Sequence, residues 1–149
     1  MRRKRSVGWW RGWENYRKLN GVDFVNIHAQ DVDVFAPCAL GAVLNDTTIP
    51  ELKARAVCGL ANNQLERPDH GQQLLDRNIV YAPDFVVNAG GMMGASTVIF
   101  SKPDREKALA NIETIFTTIN NILEQSRDEG KPSAVIAEDI AIARIRNSA

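Results

Sequence analysis

The stretch Val32-Asp33-Val34-Phe35-Ala36-Pro37-Cys38-Ala39-Leu40-Gly41 decides how the chain is read. A short apolar run meets a proline, and small uncharged residues follow it. A brief run of this kind bounded by a breaker predicts a buried strand. The same rhythm returns twice. Ala56-Val57-Cys58-Gly59-Leu60 leads into Ala61-Asn62-Asn63-Gln64-Leu65, and Asn78-Ile79-Val80-Tyr81-Ala82 stops at Pro83-Asp84. Helical segments lie between them. Residues 48–54 predict a short helix, with Thr47 or Thr48 as its cap, Pro50 in the first turn and Glu51 near the positive end of the dipole. Residues 69–77 predict another, with Gly71, Leu74 and Leu75 toward its inner face. Short strands alternating with short helices predict an α/β fold, a doubly wound parallel sheet with crossover helices.

Outward from this centre the signals change. Residues 22–27 alternate apolar and polar groups and predict a short strand or an extended entry segment; residues 16–20 predict the end of a helix. Phe85-Val86-Val87-Asn88 predicts a further extended piece before Ala89-Gly90-Gly91. Asp104 is the predicted N-cap of a long amphipathic helix. Along it Ala108, Ile112, Ile115, Phe116, Ile119, Ile122 and Leu123 recur at spacings of three and four, and Gly130 ends it. Pro132-Ser133 opens a last helix with Ala134, Ile136, Ala137, Ile140, Ala141 and Ile145 on its apolar side. Both helices are longer than a crossover needs and are expected to pack across the domain.

The 149 residues, 44% hydrophobic and 24% charged, suffice for one domain with its own core. The net charge of zero hides an asymmetry. Residues 1–18 hold seven basic groups against Glu14, leaving eleven basic and seventeen acidic groups for the remainder. Residues 1–20 therefore read as an atypical basic leader and residues 21–149 as the folded domain. A basic segment bearing Trp9 and Trp10 also has the composition of a nucleic-acid or membrane-surface contact; the reading adopted is a solvated tail, with neither nucleic acid nor membrane as partner. No apolar run reaches the roughly 18 residues of a membrane span, no secretory signal is recognisable, and a cytoplasmic location is expected. Cys38 and Cys58 lack metal-ligand spacing, and His28 and His70 stand isolated, so no metal site is expected and both thiols are expected to be free.

In a doubly wound sheet, ligands bind beyond the carboxyl ends of the strands. Residues 36–41, 60–65 and 88–95 occupy such ends and are rich in small residues and carboxamides. A flat uncharged ring needs backbone near its face, and its amide needs oriented donors and acceptors, which Asn supplies. Gly90-Gly91 is expected to allow a close approach to a ligand. Asn and Gly also dominate ordinary turns, but three such segments at three successive strand ends favour a site.

The residues 36–41, Ala61-Asn62-Asn63-Gln64-Leu65, Tyr81-Ala82-Pro83-Asp84-Phe85 and Asn88-Ala89-Gly90-Gly91 resemble, in order and spacing, the cofactor domain of the leucine/phenylalanine/valine/tryptophan dehydrogenases, within the glutamate dehydrogenase superfamily. The resemblance runs over residues 32–143. It implies a partial Rossmann-type sheet, the second half only, with long C-terminal helices. It implies NAD as cofactor and oxidative deamination of an L-amino acid to a 2-oxo acid and ammonia. Carried over by position, it puts Cys38 and Ala39 beside the nicotinamide ribose, Asn63 at the nicotinamide end, and Asn88 near the substrate α-carboxylate. Met92 and Ala95 would line the side-chain pocket. Glutamate-specific relatives carry serine at the position of Ala95 and leucine enzymes carry valine, so the resemblance implies an apolar and bulky, aromatic substrate, tryptophan included. Ser96 compensates only if the register slips by one.

Two family features have no counterpart in the sequence. The glycine-rich G-x-G-x-x-G turn that seats a pyrophosphate is missing, since Gly8, Gly12 and Gly21 have the wrong spacing. No lysine sits in a glycine-rich segment like that of the family's catalytic lysine and aspartate. The chain is therefore expected to hold no catalytic residue, to be inactive alone, and to act through association with a missing N-terminal half or as a homo-oligomer, with the edge of its first strand exposed. The alternative is a non-catalytic module that binds a nucleotide or associates with other subunits.

Overall fold

The three apolar runs become three parallel strands, β1 (Val34–Phe35), β2 (Ala56–Val57) and β3 (Val80–Tyr81), in the order β1-β2-β3. In the computed structural model, residues 24–99 and 105–147 are described. The leader, the helix end at 16–20 and the Asp104 cap lie outside those residues. The register sets Val34 beside Ala56 and Val80, and Phe35 beside Val57 and Tyr81. Side chains alternate across a strand, so Phe35, Val57 and Tyr81 enter the core together while Val34 and Val80 stay outside. β1 is an edge strand, and Val34 is 52% exposed.

Each strand is shorter than the five-residue run that predicts it; β1 ends ahead of Pro37 and β3 ahead of Pro83, and proline has no amide proton to donate. The chains nevertheless keep company past the strand ends. Ala42 N–H donates to Asn63 O at 2.7 Å, Leu44 N–H to Gln64 O at 2.9 Å, and Glu66 N–H to Leu44 O at 3.0 Å.

The crossovers are α1 (Thr48–Glu51) and α2 (His70–Asp76). Thr47 holds the N-cap position of α1, as predicted, but its side chain makes no capping bond. Asn45 Oδ1 instead accepts the amides of Thr47 and Thr48, each at 3.0 Å, while Thr48 Oγ1 accepts the Asn45 amide at 3.1 Å. Asn competes for backbone donors just ahead of a helix. Gly71 and Leu74 of α2 are buried, as its predicted face requires. The main core joins Phe35, Leu44, Ile49, Leu52, Val57, Leu74, Ile79 and Tyr81.

Three segments depart from their sequence reading. Residues 24–29 form a 3-10 helix, Phe24–Ala29, rather than a strand. Its His28 ring lies 2.6 Å from the Glu51 carboxylate at the end of α1. Phe85-Val86-Val87 is helical, not extended: α3 (Asp84–Val87) starts behind Pro83, whose carbonyl accepts Val86 and Val87 amides at 3.0 Å each. A four-residue apolar run carries no period that separates the two states. The expected loop at Gly90-Gly91 opens α4 (Gly90–Ile99).

The last layer is α5 (Arg105–Glu129) and α6 (Ser133–Asn147). Gly130, at φ +62°, closes α5 in a left-handed conformation that glycine adopts without penalty. Ser133 Oγ donates to Tyr81 O at 2.6 Å and so fastens α6 to β3. Ile122, Ile136 and Ala137 make a second small core, against which Val86 packs. The predicted apolar stripes outrun this cover: Phe116 is 73% and Ile145 71% exposed. Among the described residues no helix is long and apolar enough to cross a membrane.

Two measurements test this packing. Leu74 is fully buried, so Leu74→Ala should cost about 2–5 kcal/mol in urea unfolding. The Arg67 guanidinium bonds Asp46 at 3.0 Å and Asp69 at 3.1 Å, and holds the Asp46 carboxyl well below its ordinary range. A depressed carboxyl stabilises the fold above its unfolded pKa, about 3.9, and loses that contribution as pH falls through the folded value. The thermal midpoint should therefore fall as pH drops below about 4, and less steeply in Asp46→Asn. The effect is modest because the pair is solvent-exposed.

Candidate functional site

Just beyond the carboxyl ends of the strands the backbone makes the closest approaches found at any described glycine, and the local sequence explains why. A Cβ placed on Gly59 would meet Pro37 O at 2.1 Å and Pro37 N at 2.5 Å; one on Gly41 would meet Asn62 O at 2.8 Å. Only glycine lets the loops after β1 and β2 lie this close. Ala61 N–H then donates to Pro37 O at 3.0 Å. Ala42 and Asn63 both take positive φ, +55° and +53°, and are joined by the Ala42 N–H to Asn63 O bond. The buried Gln64 steadies the same turn, its Nε2 donating to Gly59 O at 2.7 Å and Ala61 O at 2.9 Å.

The third strand end is tied in by a carboxylate. Asp84 Oδ2 accepts the Asn63 backbone amide at 2.7 Å, and Oδ1 accepts the Tyr81 hydroxyl at 2.6 Å. Burial, and secondarily the Asp84 carboxylate, push the Tyr81 phenol far above its ordinary range, so it remains a donor. Beside this link Asn88 Nδ2 donates to Asn62 Oδ1 at 2.5 Å.

The loops bearing Cys38 and Ala39, Asn63, and Asn88 are thus drawn together into one rim. Cys38, Ala39 and Asn63 are exposed and Asn88 is half-buried. The Asn63 carboxamide holds no hydrogen bond among the described residues. Met92 and Ala95 lie one turn apart on α4 and both are exposed, Met92 to 79%. Ser96 Oγ donates to Met93 O at 2.8 Å, so its hydroxyl is engaged by its own helix.

Gly90-Gly91 makes no close approach to the rest of the described protein. A Cβ on Gly91 would meet nothing within 4 Å, and one on Gly90 would make ordinary contact with Ile112 and Ile115 of α5. The close approaches belong to Gly41 and Gly59. Their signal was available in sequence, as glycines directly behind strand runs. The role of Asp84 was not, because its partner Asn63 is 21 residues away.

His70, read as isolated, has company. Ligand-capable atoms of Asp46, Glu66 and His70 lie within 4.8 Å of one another. Both ring nitrogens are engaged: Nδ1 accepts the Arg67 amide at 3.0 Å, and Nε2 lies 3.1 Å from Asp46 Oδ1. With the Arg67 guanidinium in their midst, these groups form an ion-pair network. A cavity of about 490 Å³ runs beside β3 toward the α5–α6 corner, lined by Leu75, Ile79, Val80, Leu123 and Pro132. It includes none of the rim residues.

A parallel α/β sheet with helical cover and an uncharged rim at its strand ends defines the class of the protein. The model of the Glutamate/Leucine/Phenylalanine/Valine dehydrogenase family matches residues 5–148, and the chain belongs to that family. It is 44% identical over 124 residues to a leucine dehydrogenase of Bacillus subtilis, covering 83% of this chain and 34% of the relative. A crystal structure of L-tryptophan dehydrogenase from Nostoc punctiforme superposes with a TM-score of 0.81 at 40% identity, over 91% of this chain and 41% of that one. A glutamate dehydrogenase structure from Thermus thermophilus shares the fold at TM-score 0.67 and 16% identity, over 93% of this chain and 36% of that one. The chain spans about a third of the length of the curated relatives it matches.

Gly59→Ala should cost roughly 1–3 kcal/mol in urea unfolding, since backbone must move to admit the methyl. Gly91→Ala, where space is open, should be neutral or stabilising by up to about 1 kcal/mol. Equal effects at the two positions would contradict the close approach of the loops.

Proposed function

We propose that this chain is the nicotinamide-side half of a Rossmann-type cofactor domain, working in NAD-dependent oxidative deamination of an apolar or aromatic L-amino acid. The observation that carries the reading is the rim, in which three successive strand-end loops present uncharged donors and acceptors, in a chain of the amino-acid dehydrogenase family. The donor set suits the cofactor. Small residues at Cys38 and Ala39 leave room for a flat ring, and the unspent Asn63 carboxamide matches the amide that the ring carries. Cys38, Ala39 and Asn63 would hold the nicotinamide end.

When bound, NAD supplies the hydride acceptor: amino acid, water and NAD become 2-oxo acid, ammonia, NADH and a proton. This chain's residues bind and orient. Asn88, anchored by Asn62, orients the substrate α-carboxylate. Met92 and Ala95 give the side chain an apolar and compliant wall. With the Ser96 hydroxyl engaged by Met93, this wall offers nothing to a second carboxylate. The groups that move protons are supplied from outside these 149 residues.

A second reading, a subunit-association module, draws on the uncovered Phe116 and Ile145 and on the open β1 edge. One experiment separates the two. The chain is assayed alone and fused behind the amino-terminal portion of the Bacillus subtilis leucine dehydrogenase. NADH formation is followed with leucine, phenylalanine, tryptophan and glutamate at alkaline pH. The fusion should turn over the apolar substrates and not glutamate, and Asn63→Ala or Asn88→Ala should lower kcat/KM by about 10- to 100-fold. Turnover by the chain alone would overturn the assignment of proton transfer elsewhere. A folded fusion that is inactive with every substrate would favour the association module.

A further inference from the structure

We infer that Asp84 is the positioning residue of the rim: its carboxylate fixes the Asn63 peptide and, through the Asn63 carbonyl, Ala42, so that three strand-end loops hold one shape around the cofactor's nicotinamide end. The cofactor part of this inference rests on the function proposed above.

The geometry is specific. Asp84 begins a helix of four residues, yet its carboxylate bonds none of that helix's own amides beyond its start. It reaches instead to the loop after β2. The side chain is 7% exposed, and a buried carboxylate is costly unless its oxygens are satisfied. Here each oxygen takes one short bond from an uncharged donor, the Tyr81 hydroxyl on one side and the Asn63 amide on the other. Hydrogen bonds to an ionised acceptor are shorter and stronger than neutral ones. Such a bond is placed where the backbone needs it. Asn63 is left-handed, and so is Ala42, whose methyl group makes that conformation unfavourable. The Asn63 peptide is gripped at both ends, its N–H by Asp84 and its C=O by the Ala42 amide. Release of the first grip frees the second. The Asn62–Asn88 bond cannot replace it, because it joins side chains and leaves the Asn63 peptide free to rotate. Tyr81 orients Asp84 from below, and since its carbonyl also receives Ser133 Oγ, the link is rooted in β3 and α6.

The test uses the intact 149-residue chain and amide hydrogen exchange by NMR, with Asp84→Asn, Asp84→Ala and Tyr81→Phe. Asp84→Asn keeps an acceptor for the Asn63 amide and removes the charge. Exchange at Asn63 and Ala42 should accelerate by at least about tenfold in Asp84→Ala and by less in Asp84→Asn and Tyr81→Phe, while Val57 and Leu74 amides keep their protection. NADH titrated to millimolar concentration should shift the Cys38, Ala39 and Asn63 amides of the wild type, and the shifts should weaken in the same order. A uniform rise in exchange over all core amides in Asp84→Asn and Tyr81→Phe alike would make Asp84 merely structural and overturn the inference. So would Asn63 protection unchanged in a folded Asp84→Ala. Lost Asn63 protection with unaltered NADH shifts would overturn its role toward the cofactor. If NADH leaves the wild type unmoved, the cofactor reading fails for the isolated chain, and the exchange arm alone decides whether Asp84 sets the loops.

Discussion

The Asp84 carboxylate receives a hydroxyl from the strand ahead of it and a peptide amide from the loop after the neighbouring strand, and the layout of the rim follows from that pair of bonds. Parallel strands of two residues each supply few ladder bonds. Their ends would splay without further ties. The ties run in sequence across the sheet: Tyr81 to Asp84, Asp84 to Asn63, Asn63 to Ala42. Glycines at 41 and 59 permit the approach, and the carboxylate makes it definite. Interior polar bonds of this kind are stronger than the same bonds in water, and dearer to lose.

The sheet was legible in the sequence because Phe35, Val57 and Tyr81 sit in short apolar runs that end in proline or glycine. The long helices were legible because Ile115, Ile119 and Ile122 repeat at helical spacing. Phe85-Val86-Val87 misled because β-branched and aromatic residues favour strands in isolation, whereas Pro83 and Asp84 offered a helix start that the packing of Val86 against the second core rewards. Residues 22–27, read as a strand or extended segment, misled likewise where they enter the helix at 24–29, since an alternation over six residues fits a strand while the tertiary partner of His28, the Glu51 carboxylate, is invisible from the local sequence. Of the rim, the residue types could be read, and so could the glycines. What joins them could not, because Asp84 to Asn63 and Asn88 to Asn62 are contacts between residues 21 and 26 positions apart. Periodicity carries no information at that range.

The uncovered apolar groups have a graded distribution that bears on how the chain works. On α5 the stripe is buried at Ile122, half-buried at Ile119 and Ile115, and open at Phe116. Cover is therefore complete near the α5–α6 corner and thins away from it. The sheet shows no such gradient: Val34 on β1 and Val80 on β3 are 52% and 49% exposed, and Phe35 and Tyr81 are both buried. In a family whose curated relatives are more than twice as long, the thinning cover on α5 leaves Phe116 as apolar surface able to take a contact.

Selectivity in the proposed reaction turns on which polar groups are already spent. A pocket rejects a carboxylate-bearing side chain most effectively by having no donor to offer it, since an unpaired buried charge is far costlier than a missing methylene. Ser96 lies next to Ala95 and has a hydroxyl of the right kind, but the bond to Met93 O holds that hydroxyl against the helix backbone. Binding a ligand carboxylate there would mean exchanging an intrahelical bond that costs nothing to keep. Alanine at 95 adds no donor and little bulk, and Met92 yields to shape rather than imposing one. The same economy explains Asn88 and Asn63. Asn88 Nδ2 donates one of its two protons to Asn62, which fixes the direction of the other, whereas the Asn63 carboxamide holds no hydrogen bond among the described residues and stands over a peptide that Asp84 bonds. Rigid backbone beneath an uncommitted amide is the arrangement that recognises one planar partner without reorganising to meet it.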